Sequence, residues 1–122
     1  MLNLPSTVRI YVAAVSVDLR KGFDGLAAAT RTLIRQNPTS GHIFVFLNAR
    51  RNRAKLLVFE PSGFWLLYKR LERGQFEWPH APADGCRHIE IDSTELALML
   101  EGIDLRGASR RPTWKPSSSV TT

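Results

Sequence analysis

The spacing of apolar residues changes along the first third of the chain from strand-like to helical. Val8–Ala14 is apolar and partly β-branched, interrupted by Arg9, and predicts a first strand. Further on, apolar residues recur at intervals of three and four positions and form one helical stripe: Phe23, Leu26, Ala27, Thr30, Leu33 and Ile34. This stripe predicts a helix over Phe23–Arg35, with Asp24 in its first turn. The helix should end before Pro38, because the residue that precedes a proline avoids the α region.

Three further apolar segments lie close together along the chain and predict paired strands. His42–Leu47 is apolar on both faces, which is typical of a central strand. Lys55–Phe59 and Phe64–Arg70 are separated by Glu60–Gly63, where a proline and a glycine favour a tight turn. Such short connections predict an antiparallel meander, and Gln75–Trp78 is a candidate for another short strand.

The remainder of the chain predicts one more strand and one short helix. His88–Ile91 alternates between apolar and polar residues, like a short edge strand. Asp92 is a candidate N-cap with Glu95 three residues later, and Gly102 is a candidate helix stop. Residues 105–122 are rich in proline, serine and basic residues, which predicts a flexible, disordered basic tail.

Taken together, the pattern predicts a single α+β domain over residues 1–104. In this domain a small antiparallel sheet packs against one main helix, and a short C-terminal helix follows. A chain of 122 residues, 43% of them hydrophobic, can bury a core of its own. The one cysteine, Cys86, allows no internal disulfide, and we find no signal peptide and no run of about 18 apolar residues. We therefore expect a cytoplasmic protein that does not enter a membrane.

Charge is unevenly distributed along the chain, whose net charge is +6. Residues 1–75 contain 12 basic and 4 acidic side chains, residues 76–105 contain 1 basic and 7 acidic ones, and residues 106–122 contain 4 basic and no acidic ones. A basic body and a basic tail on either side of an acidic segment indicate a nucleic acid or an acidic protein as partner. The alternative interpretation is a solvated surface on which the charges happen to cluster.

The predicted meander brings basic residues together at one end of the sheet. The loop after the central strand and the end of the third strand should lie at that end. The cations expected there are Arg50, Arg51, Arg53, Lys55, Lys69, Arg70 and Arg73. A phosphate backbone would neutralise them, and unpaired bases could stack on Trp65, Tyr68 or Trp78. The alternative is that these rings belong to the core and the arginines form a solubilising edge.

Charges and glycines are densest in Asp18–Leu26, between the first strand and the helix. A nuclease or strand-transfer site needs about three carboxylates around divalent metal, and only Asp18 and Asp24 form an obvious pair. The histidines lack metal-ligand spacing, Cys86 lacks a local nucleophile motif, and the glycines match neither a dinucleotide-binding motif nor a P-loop. The sequence therefore predicts no catalytic residue, no metal and no cofactor.

Arg20 and Lys21 are the residues of this stretch that are best suited to binding. Their charges oppose the dipole at the start of the following helix, so the fold gains little from them. They are therefore candidates for contact with a partner and join the predicted DNA-binding set. The alternative is that they pair with Asp18 and Asp24 and hold the shape of the loop.

Several motifs in order carry a family resemblance. They are Asp18–Leu26, Gly41–Phe46, Gly63–Leu66, Tyr68–Pro79 and Leu100–Asp104. Over roughly residues 8–104 the chain closely resembles the insertion-sequence-66 family accessory protein, often labelled TnpB, which is distinct from the RNA-guided nuclease of the same label. The resemblance implies a small protein encoded beside a larger transposase in a bacterial mobile element. It supplies no catalytic residues, since none are established for the family.

The resemblance and the clustered cations predict a non-enzymatic accessory factor for transposition, a form of DNA recombination, that binds DNA through the basic edge. The alternative is a protein-interaction module that docks on the transposase through the acidic segment Glu77–Asp104 without contacting DNA. A third, enzymatic possibility would require metal-dependent nuclease activity at Asp18 or Asp24. The expected partners are therefore DNA and the transposase of the same element.

Overall fold

The computed structural model describes residues 7–103, and its elements follow the predicted order along the chain. The elements are strand β1 (Ile10–Ala13), helix α1 (Phe23–Ala29) continued by a π-helical turn (Thr30–Ile34), strands β2 (Ile43–Leu47), β3 (Arg53–Glu60), β4 (Gly63–Arg70) and β5 (His88–Ile91), and helix α2 (Ser93–Glu101). The tail predicted for residues 105–122 lies outside the described residues.

The five strands form one sheet in the order β4-β3-β2-β1-β5. Strands β2, β3 and β4 form the predicted antiparallel meander, in which Leu57 lies between Phe44 and Leu66. Strands β1 and β2 are parallel, because the chain crosses over through α1 and returns to the same end of the sheet. Strand β5 pairs antiparallel with β1 and is the predicted edge strand. The α+β class is confirmed, and the sheet is mixed rather than antiparallel throughout.

Each face of the sheet has its own hydrophobic core with its own helix. The α1 face of the sheet buries, among others, Phe44, Phe46 and Leu57 with Leu26 and Ile34. The α2 face buries, among others, Val45, Ala54, Leu56 and Val58 with Phe76, Leu96 and Met99. The short C-terminal helix is thus a second covering layer, whereas the sequence suggested a sheet packed against one main helix.

The main helix ends one residue earlier than predicted, in a widened turn. Arg35 follows it with a φ of 64° and donates its N–H to the Thr30 carbonyl at 2.8 Å. The buried Thr30 hydroxyl donates to the Leu26 carbonyl at 2.8 Å. A threonine hydroxyl that bonds one turn back competes with the regular helical ladder, which accounts for the π-helical turn here.

The second helix begins with the predicted capping box. Asp92 Oδ1 accepts the N–H of Glu95 at 2.7 Å, and Glu95 Oε1 accepts the N–H of Asp92 at 3.0 Å. Gly102 ends the helix with a φ of 80°, a conformation that favours glycine. The predicted strand Gln75–Trp78 is reduced to one bridge, in which Gln75 pairs with Ile103.

Candidate nucleic-acid interface

The loop between β1 and α1 is fixed to the sheet by two buried side chains. Val17 and Leu19 are each 8% exposed and belong to the core on the α1 face. Val17 also donates its N–H to the carbonyl of Leu47, at the end of β2, at 2.8 Å. The charged residues that alternate with these anchors therefore point away from the core, and Asp18 and Arg20 are both exposed.

Within this loop Asp18 and Arg20 form a two-point ion pair. The Arg20 guanidinium donates from Nη2 to Asp18 Oδ2 at 2.8 Å and from Nε to Oδ1 at 3.1 Å, and the Arg20 N–H donates to Oδ1 at 3.0 Å. The side-chain hydrogen bonds from Arg20, followed by the backbone one, lower the pKa of Asp18 to about 2. The carboxylate is thus held by a cation, while the Arg20 side chain stays 91% exposed. Pairing with Asp18 was the alternative for Arg20, and the structure shows it.

Strands β3 and β4 place further cations beside this loop. Arg53 and Lys55 alternate with core residues on β3, so both lie on the α1 face, directly opposite Arg70 and Tyr68 of β4. Arg53 Nη1 donates to the Tyr68 hydroxyl at 2.8 Å, and Lys55 Nζ lies 5.1 Å from the centre of the Tyr68 ring. Lys55 Nζ also donates to the carbonyl of Lys21 at 3.3 Å. That last bond joins the hairpin to the loop.

Loop and hairpin together enclose a groove of about 370 Å³. We call it the basic groove, and its lining residues are Asp18, Leu19, Arg20, Asn48, Arg53, Lys55 and Tyr68. Three cations line it with a single carboxylate, which Arg20 already holds. In such a concave site the positive field is concentrated, and an anion is attracted.

Asn48 is a lining residue that the sequence did not single out as functional. Its Oδ1 accepts the N–H groups of Asn52 and Arg53, each at 3.0 Å, and its Nδ2 donates to Asn52 Oδ1 at 2.7 Å. Asn48 thus fixes the turn that leads into β3 and sets the position of Arg53. The available signal was an asparagine directly after a buried strand, a common turn former.

Within residues 7–103, no cluster of three or more histidine, cysteine or acidic side chains could hold a metal ion. Over the same residues no helix has the length and apolar character needed to cross a membrane.

The sequence matches the family model of the IS66 Orf2-like proteins over residues 8–110. The chain belongs to the IS66 Orf2-like family. Two uncharacterized proteins of Sinorhizobium fredii NGR234, y4hO and y4jC, are each 34% identical to it over 117 residues, which cover 96% of this chain and 97% of each relative. No solved structure matches significantly. Membership implies a transposition-related accessory role in an insertion sequence, in a family not known as catalytic.

In the IS66 Orf2-like fold, four of the seven predicted cations lie on strands and are divided between the two faces of the sheet. Arg53, Lys55 and Arg70 lie on the α1 face, and Arg70 pairs with Glu72 at 3.0 Å. Lys69 lies on the opposite face, where its Nζ donates to the Leu100 carbonyl at 2.7 Å. The cations gather at one end of the sheet, as expected, but they do not form one continuous edge.

The other three predicted cations lie in loops and differ in burial: they are Arg50, Arg51 and Arg73. Arg51 is half-buried, lies 3.3 Å from Glu77 Oε2 and stacks 5.5 Å from the Trp78 ring centre, so its guanidinium serves the fold. Arg50 and Arg73 are exposed. The side chain of Gln75 donates to the Arg50 carbonyl at 2.8 Å and thereby fixes the loop backbone.

The three aromatic residues considered for base stacking also lie in different parts of the fold. Tyr68 is 53% exposed and lines the basic groove. Trp65 is 58% exposed but lies on the α2 face, where its Nε1 donates to Glu60 at 2.8 Å. Trp78 is half-buried and donates to the Ala13 carbonyl at 2.9 Å, so it belongs to the structure of the fold. Only Tyr68, among these three, is placed beside the groove.

Proposed function

We propose that this IS66 Orf2-like protein is a non-catalytic accessory factor of bacterial transposition that binds DNA phosphates in its basic groove. The observation that carries the proposal is the convergence of Arg20, Arg53 and Lys55 from two separate parts of the chain. A fold that needed these cations only for solubility would have no reason to collect them in one concavity, where they repel each other. Phosphate oxygens between them would turn that repulsion into attraction.

Arg53 and Tyr68 are held in positions that suit contact with a DNA strand. The Tyr68 hydroxyl accepts one N–H of Arg53, which orients the guanidinium and leaves its other donors for a ligand. The Tyr68 ring lies against Lys55 and offers an exposed face for a base or a deoxyribose. Lys21 and Arg70 flank the groove and would extend the contact to neighbouring phosphates, for about five contacts in all.

The way in which the carboxylates are used supports a non-catalytic role. Arg20 occupies both oxygens of Asp18, and Asp24 lies in the first turn of α1, where a carboxylate stabilises the helix dipole. Among residues 7–103, neither belongs to a group of three or more histidine, cysteine or acidic side chains that could hold a metal ion. We expect the protein to act in the bacterial cytoplasm, where the DNA of the element and its transposase are found.

Docking on the transposase through the acidic segment is the weaker candidate function. Glu77 is paired with Arg51 at 3.3 Å, and Glu90 is paired with Arg9 at 2.9 Å. Their charges are largely satisfied inside this chain, so they offer less to a basic partner than the sequence suggests.

The test is fluorescence anisotropy with labelled duplex DNA from the ends of the element, at low salt. The double variant R53E/K55E should bind at least tenfold more weakly than the natural protein, because it replaces two attractive contacts by repulsive ones. The matched control R31E/R87E makes the same change of net charge at exposed positions outside the groove. Equal losses in both variants, or no binding of the natural protein at low salt, would refute a specific role for the groove.

A further inference from the structure

Strand β4 leaves a long edge of the sheet without a partner among the described residues. It has eight residues, whereas the opposite edge strand, β5, has four. Leu71 donates its N–H to the Asn52 carbonyl at 2.8 Å, so the backbone of Leu71 faces the neighbouring chain segment. Along an antiparallel pair, residues whose backbone groups face the partner strand alternate with residues whose backbone groups face away from it. The backbone groups of Phe64, Leu66 and Tyr68 must therefore point outward, at the open edge.

In the middle of β4, where an edge strand normally has protecting charges, the exposed side chains are large and mostly apolar. Trp65 is 58% exposed and Leu67 is 39% exposed, both on the α2 face, and Tyr68 is 53% exposed on the other face. Proteins usually protect long edges with charges, proline or a bulge in the middle of the strand. Here the charges, Lys69 and Arg70, are confined to the end of β4.

We infer that β4 pairs antiparallel with β4 of a second copy of this chain, with Leu66 at the two-fold axis. This inference goes beyond DNA binding and does not depend on it. A two-fold axis perpendicular to the sheet keeps each face continuous, so paired residues must share a face. Centring on Leu66 meets this condition and overlaps nearly the whole strand. It places Trp65 opposite Leu67 of the second copy, and Phe64 opposite Tyr68 of the second copy.

Charge complementarity identifies the occupant as another copy of the same strand. In this register Lys69 lies opposite Gly63 of the second copy, and Gly63 is itself paired with Glu60 on β3. Within one copy, Lys69 Nζ donates to the Leu100 carbonyl and Glu60 accepts from Trp65. Glycine has no side chain, so Lys69 can exchange its contact with Leu100 for one that reaches across Gly63 to Glu60, about two strand spacings or 10 Å away. The two-fold axis produces this pair twice, and Arg70 lies opposite the small, neutral Ser62.

The deciding experiment is charge exchange, read by sedimentation velocity or light scattering over a range of protein concentrations. We expect the natural chain to dimerise with a dissociation constant of roughly micromolar size, because strand pairing alone makes a small interface. K69E and E60K should each weaken the dimer at least tenfold, since each places like charges together twice. An equimolar mixture of the two variants should restore the dimer, because every pair in the mixed dimer is again of opposite sign.

Controls separate this effect from net charge and from misfolding. R31E and D84K change the net charge by the same amounts at exposed positions away from β4 and should leave the dimer unchanged. Recovery on mixing also shows that both variants are folded. A natural chain that is monomeric at every concentration, single variants that dimerise like the natural chain, or a mixture that stays monomeric would each overturn the inference.

The register has its own test, in a chain whose lone cysteine is replaced by C86S. At the axis, the two Leu66 Cα atoms would be about 5.5 Å apart, within the range of a disulfide, so L66C should crosslink on oxidation. The two Leu67 Cα atoms would be about 8 Å apart, so L67C should not. Crosslinking through L67C with none through L66C would overturn the Leu66-centred register.

Discussion

Phe76 offers the sharpest test of how the loop after β2, which contains Arg50 and Arg51, is supported. Its side chain is fully buried in the core on the α2 face, although it belongs to a segment without regular secondary structure. Its N–H donates to the Arg51 carbonyl at 2.6 Å, so the same residue fills the core and holds the loop that contains Arg50 and Arg51. We therefore expect that shortening this one side chain destabilises the whole domain.

The expected magnitude follows from burial. Truncating a fully buried phenylalanine to alanine costs about 3–5 kcal/mol, against a total stability of about 5–15 kcal/mol for a domain of this size. The milder change F76L should cost roughly 1–1.5 kcal/mol, which keeps the measurement possible if F76A does not fold. F23A is the matched control, because Phe23 is 47% exposed and the same truncation there should cost less than half as much.

Urea unfolding followed by circular dichroism measures all three variants on one scale. The midpoint should fall far more for F76A than for F23A, with similar dependence on urea concentration, since a change in the slope would indicate a change in the unfolded state. A loss below about 1 kcal/mol for F76A, or equal losses at both positions, would refute the placement of Phe76 in the core and its role in supporting the loop.

Two further predictions concern the basic groove. The pKa of Asp18 is lowered to about 2 from 3.8, so its ion pair stabilises the fold above pH 4 and that contribution is lost as the pH falls through about 2. In D18N the loss of stability between pH 7 and pH 2 should be smaller than in the natural protein, because the contribution of Asp18 is already absent. Urea unfolding midpoints at the two pH values measure this difference, and an equal loss in both proteins would contradict the ion pair with Arg20. The logarithm of the DNA-binding constant should fall with the logarithm of salt concentration, with a slope near −4 to −5 for about five phosphate contacts. The variant R53Q/K55Q replaces two cations by neutral side chains and should reduce the magnitude of that slope by about 2. An unchanged slope would mean that Arg53 and Lys55 do not contact phosphates.

The fold was predictable wherever one local pattern decided it. The meander over β2, β3 and β4 follows from apolar strands joined by a turn, and the capping box of α2 follows from the spacing of Asp92 and Glu95. The parallel pairing of β1 with β2 was within reach as well, since a strand, a helix and a strand in succession usually form a crossover. The sequence instead favours an antiparallel sheet, because the strands further along the chain are joined by short connections.

The basic groove was only partly predictable, because it depends on which face of a strand each residue occupies. Counting cations placed Lys69 with Arg70, yet neighbouring residues on a strand point to opposite faces, and the two are separated by the sheet. The sequence also groups Arg51 with the surface cations, because its contacts with Glu77 and Trp78 join residues 26 and 27 positions apart along the chain. The convergence of Arg20 with Arg53 and Lys55 likewise requires the three-dimensional structure.

The hairpin of β3 and β4 is electrically polar along its length, and this polarity links the two proposals. Arg53, Lys55, Lys69 and Arg70 lie towards its open end, while Glu60 lies at its turn. Two such hairpins side by side in parallel would oppose like charges, whereas antiparallel hairpins place each basic end beside an acidic turn. The same polarity that favours an antiparallel second copy leaves Arg53 and Lys55 on the α1 face, away from the strand edge. Phosphate binding relies on Arg53 and Lys55, and self-association relies on Lys69 and Glu60. Tyr68 is shared, because it lines the basic groove and also lies opposite Phe64 of the second copy. The two proposals therefore depend on different charged residues, so either can fail experimentally without the other.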